Sequence, residues 1–542
     1  MTRKTVYLSD FRKASDNETF AAAMDYLKDN PNTTLVVEPG TYTITDERSR
    51  EIQRAIMEGE FGRNPEHIVF KPNFEYSRGI YFEGQIGTKV IADGVTLLVD
   101  GFMEPISIRG CKDIHINGFT VRHKRLPYSR GVVTEVSQPA GSDYRCDCII
   151  EFDEDCPIKE ASPRVIKVWP FDPETGKKTV GIHDIWNRKH IDSHHIMLSF
   201  SNAVDIRPGV ELYIGHTAHF RPAVLIENSR DVVLEGLTVN NQPGMGILGN
   251  RSENITLRYV SVVPIEGHNF STNCDATHFS CVKGIVKLED CTFRGHGDDM
   301  TNVHTYYQAI VSVEGDRVCY MQEKTPDGTH SQTLDYPDVG DTLELTSIDT
   351  QELIDTYTVV SCRPMPSEWM CRVELDHPLP KKTERLVLSN VTWVPKTDIT
   401  GCTATSHNAR SLLIKSRDVL IEGNTFKNIV GPAIVVSPES NWYEGVSPCD
   451  VIIRNNVISG CAERWYGDPA AIMVFVGVEG KPARSIRNIT IENNVIDCPV
   501  TPHGISVKNT DGVKVLGNKV TAKNEEVIIA DCVNVISDVN YI

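Results

Sequence analysis

Hydrophobic residues recur along this chain in short alternating runs. Each run follows a polar turn and ends at a Gly or Asn corner that leads into a second short run. The unit reads CKDIHINGFTV at 111–121, SRDVVLEGLTV at 229–239, SENITLRYVSV at 252–262 and KGIVKLEDCTF at 283–293. It returns as SRDVLIEGNTF at 416–426, CDVIIRNNVI at 449–458, RNITIENNVI at 487–496 and DGVKVLGNKV at 511–520. Equivalent positions Leu234 and Leu257 are 23 residues apart, and Ile491 and Val515 are 24 apart. A period in the low twenties with two or three short strands per unit predicts a parallel β-helix, because one coil cannot bury its inner face until others stack on it. The fold class expected is therefore all-β, a right-handed solenoid.

Other spacings are longer: Leu257 to Leu288 is 31, Ile421 to Ile453 is 32 and Ile453 to Ile491 is 38. Extra residues in a solenoid leave as loops on one face. Asn at the corners (Asn424, Asn455, Asn456, Asn493, Asn494, Asn518) is read as structural, since Asn tolerates left-handed backbone and bonds to neighbouring turns. Two stretches break the repeat. Residues 124–220 are charged and turn-rich, and 308–398 reads as antiparallel strands (AIVSVEGDRVCYMQ, DTLELTSID, DTYTVVSCRP, CRVELDHPLP). Both are expected to be small inserted β-barrels or sandwiches. At the start, 16–31 predicts an amphipathic helix and 33–44 two strands around a Pro-Gly turn. Such a helix would cap the open end of the solenoid. The chain thus divides into cap and first coils at 1–123, an insertion at 124–220 and central coils at 221–307. A second insertion at 308–398 and final coils at 399–542 complete it.

The 542 residues carry a formal net charge of −18, spread rather than clustered, which argues against nucleic acid and anionic membrane as partners. A neutral sugar meets no such repulsion. No leader-like apolar core opens the chain, and no stretch is long enough to span a membrane. The 15 cysteines include no CxxC pair and several sit beside strand-like runs, so reduced buried thiols and a cytoplasmic protein are expected.

Chemistry concentrates in 274–307, which holds Asp275, His278, His296, Asp298, Asp299, Asn302 and His304. Asp275 precedes Asp298 by 23 residues and Asp299 by 24, one coil of the inferred helix. Three carboxylates should therefore meet on one face of two stacked coils. Adjacent carboxylates split their proton affinities, leaving one as a proton donor, which is what glycoside cleavage requires. The alternatives for an Asp cluster are a solvated turn or a calcium site.

The blocks DATHFS, GIVKLEDCTF and DDMTNVH resemble glycoside hydrolase family 110, the α-1,3-galactosidases. FRPAVLIENSRDVVLEGLTV and QPGMGILG upstream, and HNARSLLIKSRDVLIEGNTF and NWYEGVSPCDVIIRNNVI downstream, are similar to its flanking coils. The resemblance implies a metal-independent and cofactor-independent, inverting hydrolysis of terminal α-1,3-linked galactose. It implies that Asp298 is the general acid and that Asp275 and Asp299 are the carboxylates activating water. Two departures stand out: Thr305 where the family has Gly, and Gly297 where a bulkier residue is common.

Supporting residues are read more broadly. Trp442, in the polar loop SPESNWYEG, either stacks on sugar or packs in its loop. Arg221 and Arg410 head strands and either bond sugar hydroxyls or form ion pairs. Glu444 either binds a sugar hydroxyl, the reading preferred, or sits in solvent. His278, Asn302 and His304 either orient the carboxylates or satisfy a coil corner. Competing functions are another β-helix carbohydrate enzyme (a polygalacturonase-like hydrolase or a lyase) and a non-catalytic binding solenoid. Homo-oligomerisation is left open by the sequence.

Overall fold

The computed structural model describes residues 3–62, 65–71, 74–138, 145–152, 165, 167–179, 181–182, 185–201, 206–217, 219–323, 335–478 and 481–538. Its body is a parallel β-helix. One 22-stranded sheet wraps two faces of the solenoid, and a 12-stranded sheet forms the third. The inner ladder can be followed residue by residue. Leu35 pairs with Val90, Val90 with Ile116, Ile116 with Leu234, Leu234 with Leu257 and Leu257 with Leu288. The ladder continues through Ile399, Ile421, Ile453 and Ile491 to Val515. Every member is buried in one continuous core. The uneven spacings of the sequence are thus single steps of a regular ladder, the surplus residues lying outside it.

Asparagines lock one corner. Asn424 Oδ1 accepts the Cys402 N–H at 2.9 Å, Asn456 Oδ1 the Asn424 N–H at 2.9 Å, and Asn494 Oδ1 the Asn456 N–H at 3.0 Å. Asn518 Oδ1 accepts the Asn494 N–H at 3.0 Å. Each Nδ2 returns a hydrogen bond to the carbonyl of an inner-ladder isoleucine. Asn455 and Asn493 beside them take left-handed backbone, φ 56° in both.

The first helix, Asp16–Asp29, starts at a Ser15–Glu18 capping box. It buries Phe20, Ala23, Met24 and Leu27 against the first coil and so closes the core. Thr33–Val36 and Gly40–Thr45 both pair in parallel with the long strand Ile86–Asp100. A second helix, Glu47–Met57, was not anticipated. Its apolar face packs with Val69, Phe70, Phe102 and Phe220.

Between Tyr128 and Gly215 lies a seven-stranded antiparallel sheet. Val168, near one end of its strand order, and Ile196 and Leu198, near the other, share one core, so the sheet curls on itself. Between Gln308 and Asn390 six antiparallel strands form a closed barrel around Met321, Leu343 and Val373. None of the described cysteines forms a disulfide. No helix among the described residues is long and apolar enough to cross a membrane.

Candidate active site

Strands Thr277–Ser280 and Thr301–Tyr306 are parallel neighbours in the 12-stranded sheet, and Leu412–Ile414 follows. Alternation sends Phe279 and Val303 into the core and turns His278 and Asn302, which pair in register, outward. Just ahead of these strands the coils remain aligned. Ala276 N–H donates to Asp299 O at 2.9 Å, and Met300 N–H to Arg410 O at 3.1 Å. Asp275, Asp299 and Arg410 therefore stack on three successive coils. The one-coil step read from the sequence is the 24-residue one, to Asp299.

Each carboxylate has different company. Asp299 is buried and accepts from Arg410 three times: from Nε at 2.9 Å, from Nη2 at 2.6 Å and from the backbone N–H at 2.9 Å. Burial pushes its carboxyl up to about 7, against the pull of that guanidinium, with Asp298 and Asp275 adding to the rise. Asp275, also buried, accepts the Asp299 N–H at 3.2 Å on one oxygen and meets His278 Nδ1 at 2.7 Å with the other. Asp298 is the open one: its side chain is 31% exposed, with Lys167 Nζ 3.9 Å away. The nearest oxygens of Asp275 and Asp298 lie within 4.8 Å of each other. That is an upper limit on the approach of one oxygen from each group; the roughly 6.5–9.5 Å between acid and base of an inverting site is counted between whole carboxyl groups.

The histidines extend inward from Asp275. His304 Nδ1 lies 3.0 Å from the Thr305 carbonyl, which can only accept, so Nδ1 carries the proton. Burial drives His304 down to about 3, leaving it neutral with a bare Nε2. That Nε2 lies 2.7 Å from His278 Nε2, so His278 donates there. The contact between His278 Nδ1 and Asp275 then needs a second proton, held by either partner. Hydrogen bonding alone thus makes Asp275 and His278 a pair sharing one proton, with no net charge.

A second network lies alongside. Lys415, fully buried, reaches Glu444 Oε2 at 2.7 Å, Glu439 Oε2 at 2.9 Å and Asn302 Oδ1 at 3.1 Å. Asn302 Nδ2 donates to Glu444 Oε2 at 3.1 Å, and Arg410 Nη1 to Glu439 Oε1 at 3.1 Å. Burial would raise Glu444, but His304, Lys415 and His278 together act against it, and the carboxyl stays well below its ordinary range.

These groups open on a cleft of about 420 Å³. Of the residues singled out from sequence, the three aspartates, His278, Asn302, Arg410, Trp442 and Glu444 all line it. Trp442 is 38% exposed, on a short turn beside Glu444. His304 stands behind His278 rather than in the cleft. Arg221 is a correction. It is buried away from the cleft, donates to the Val69 carbonyl at 2.7 Å and lies over the Tyr76 ring at 4.1 Å. Its cation belongs to the packing around the second helix, not to sugar recognition.

Lys167, Asn408, Glu439, Trp465 and Tyr466 line the same cleft and were not singled out from sequence. The two departures acquire reasons. A Cβ at Gly297 would stand 2.3 Å from Asn273 O and 3.0 Å from the Trp169 ring, so no side chain fits there. Thr305 is buried and its hydroxyl lies 3.3 Å from Cys281 Sγ, a contact that Gly could not make.

Among the described residues, Cys274, Asp275 and Asp298 approach closely enough to share a cation. The donor set suits one poorly. Calcium takes oxygen ligands, and burial, with Asp275 and Asp298 beside it, holds the Cys274 thiol well above its ordinary range and so protonated. Lys167 already supplies positive charge beside Asp298.

No family model matches the chain. Curated relatives include α-1,3-galactosidase B of Bacteroides thetaiotaomicron, 25% identical over 84% of this chain and 75% of the relative. α-1,3-Galactosidase A of Shewanella woodyi is 24% identical over 97% of this chain and 87% of the relative. The solved Yersinia enterocolitica family 28 exopolygalacturonase aligns with all of this chain and 77% of its own, at 11% identity and a TM-score of 0.41.

Proposed function

We propose, on a resemblance to glycoside hydrolase family 110 that these relatives bear out, that this chain is an exo-acting galactosidase. In this reading it removes terminal α-1,3-linked galactose from oligosaccharides or glycoconjugates. The observation that carries the reading is the unequal treatment of three clustered carboxylates. Asp275 and Asp299 are buried and tied to His278 and Arg410, whereas Asp298 opens to the cleft.

Asp298 gives its proton to the glycosidic oxygen as the bond from that oxygen to the anomeric carbon breaks. Water attacks the anomeric carbon from the opposite face, and Asp299 and Asp275 take up its proton. Asn302 and Glu444 offer a donor and an acceptor to sugar hydroxyls, and Trp442 an aromatic face to the ring. Neither metal nor cofactor enters these steps.

The test is a panel of α- and β-linked galactosides with the product anomer followed by proton NMR, with and without EDTA. The expected result is release of galactose from the α-1,3 linkage alone, β anomer first, insensitive to EDTA. A first-formed α anomer refutes inversion. Cleavage of none of the panel refutes the hydrolase reading.

A further inference from the structure

Asp275, His278, Asp299 and Asn302 lie on the buried floor of the cleft; its mouth carries an aromatic pair with no role yet. Trp465 and Tyr466 stack at 4.6 Å between ring centroids, 28° between planes, and Tyr466 is 74% exposed. Both line the same cleft as the three aspartates. Their loop is held in place. Ala462 N–H donates to Ile429 O at 3.1 Å and to Gly431 O at 2.9 Å, and Glu463 accepts from Lys177 of the first insertion at 2.7 Å. Position 431 must lack a side chain for this arrangement, because a Cβ there would stand 2.6 Å from Ala409 O, and it would also reach to 3.0 Å from the Trp465 ring. The charges acting on the Tyr466 hydroxyl include Arg410, Glu439, Asp299 and Asp298, so the platform borders the reacting centre.

We propose that Trp465 and Tyr466 form the subsite for the leaving group, an aromatic platform on which the sugar next to the scissile galactose lies. The inference rests on the exo-galactosidase reading above. An exo-acting cleft holds the terminal sugar on its floor and leaves the remainder at the mouth, where these rings are. A pyranose presents an apolar C–H face that covers an exposed ring, and the hydroxyl of Tyr466 offers a hydrogen bond to its edge. The platform selects a neutral sugar. The described cations lining the cleft, Lys167 and Arg410, already face Asp298, Asp299 and Glu439, and would have to leave them to meet an anionic one. Trp442, beside Glu444, serves the galactose instead.

The experiment compares two substrates of the full-length enzyme, an α-1,3-linked galactosyl disaccharide and α-galactosyl fluoride, whose leaving group is a single atom. In Tyr466→Ala the ratio of kcat/KM for disaccharide over fluoride is expected to fall roughly three- to tenfold, from the usual worth of one aromatic contact. Tyr466→Phe, which keeps the ring, should recover most of it. Trp442→Ala should lower both substrates together and leave the ratio in place. An unchanged ratio in Tyr466→Ala, or a ratio moved by Trp442→Ala instead, overturns the assignment while leaving the hydrolase reading intact. A wild-type enzyme that turns over neither substrate overturns both.

Discussion

Replacing Arg410 with Met keeps most of the apolar stem and removes the guanidinium. Asp299 then loses two of its three donors, those at 2.9 and 2.6 Å, and keeps only the Arg410 backbone N–H. Glu439 retains Lys415. Breaking one partner out of a buried pair costs about 3–5 kcal/mol. Arg410 is 20% exposed, so water can enter the gap and the low end applies, about 3 kcal/mol. At about 1.4 kcal/mol per unit, that raises the proton affinity of Asp299 by roughly two units. Its carboxyl starts at about 7, so the variant should ionise near pH 9. The sign follows. An acid raised in the folded state lowers stability above its unfolded value, up to its folded one. Between about pH 4 and 7 both folded proteins hold the proton and the stability gap is small; it opens as pH rises through about 7 and is complete near 9. If Asp299 must be ionised to accept water's proton, the acid limb of kcat/KM moves up by the same two units. Activity at pH 6.5 then falls about a hundredfold and partly returns near pH 9. The assays are urea unfolding and kcat/KM, each across pH 5–9.5. An unmoved acid limb with a pH-independent loss of stability would show that Arg410 does not set the charge on Asp299, and the argument fails.

Asp298→Asn should lower kcat/KM on a disaccharide by about 10²–10⁴, and far less on α-galactosyl fluoride, whose leaving group needs no proton; equal losses on both would remove the acid role. Asn456→Ala leaves the Asn424 N–H and the Ile421 carbonyl without their partners in the buried ladder, so stability should drop by about 3 kcal/mol in urea unfolding with little change in kcat. Gly297→Ala places a Cβ 2.3 Å from Asn273 O, and activity should collapse even in whatever fraction remains soluble; a wild-type-like enzyme would refute the close packing under Asp298.

The solenoid was legible because its rule is local. Strand alternation and the corner Asn recur whatever happens outside the coil, so Leu234, Leu257 and Leu288 could be aligned by eye. Asp275 and Asp299 could be paired because no insertion separates their coils. Arg410 could be noticed but its partner could not, since the barrel inserted between them sets it 111 positions beyond Asp299. Lys167 sits in the first insertion, where no repeat supplies a register. Lys415 and Glu439 look like ordinary charges in sequence and become a network only when two loops meet. Trp465 and Tyr466 did carry a signal, the same one that drew notice to Trp442: large aromatics in a polar loop without strand alternation. Arg221 was misplaced for the opposite reason. It heads a strand as a binding residue would, but the second helix, unread in the sequence, folds Val69 and Tyr76 over it.

The adjacent pair at 298 and 299 shows how one backbone bend separates two chemistries. Asp299 lies in the coil-to-coil stack, so its environment is dictated by the residues one coil away on either side, Asp275 and Arg410. Asp298 lies outside that stack, and the Lys167 ammonium beside it belongs to the inserted sheet rather than the solenoid. The floor is thus held by strands whose register cannot slip without turning the core outward. The wall comes from loops and an insertion that the ladder does not constrain. Lys177 of the insertion grips the loop bearing Trp465 and Tyr466, so a change in the insertion moves the platform as well as Lys167. Substitutions at the seam should therefore alter which leaving group is accepted before they alter hydrolysis of the fluoride. Lys177→Ala is the mildest of them: it should lower the disaccharide-to-fluoride ratio in the same direction as Tyr466→Ala, and by less.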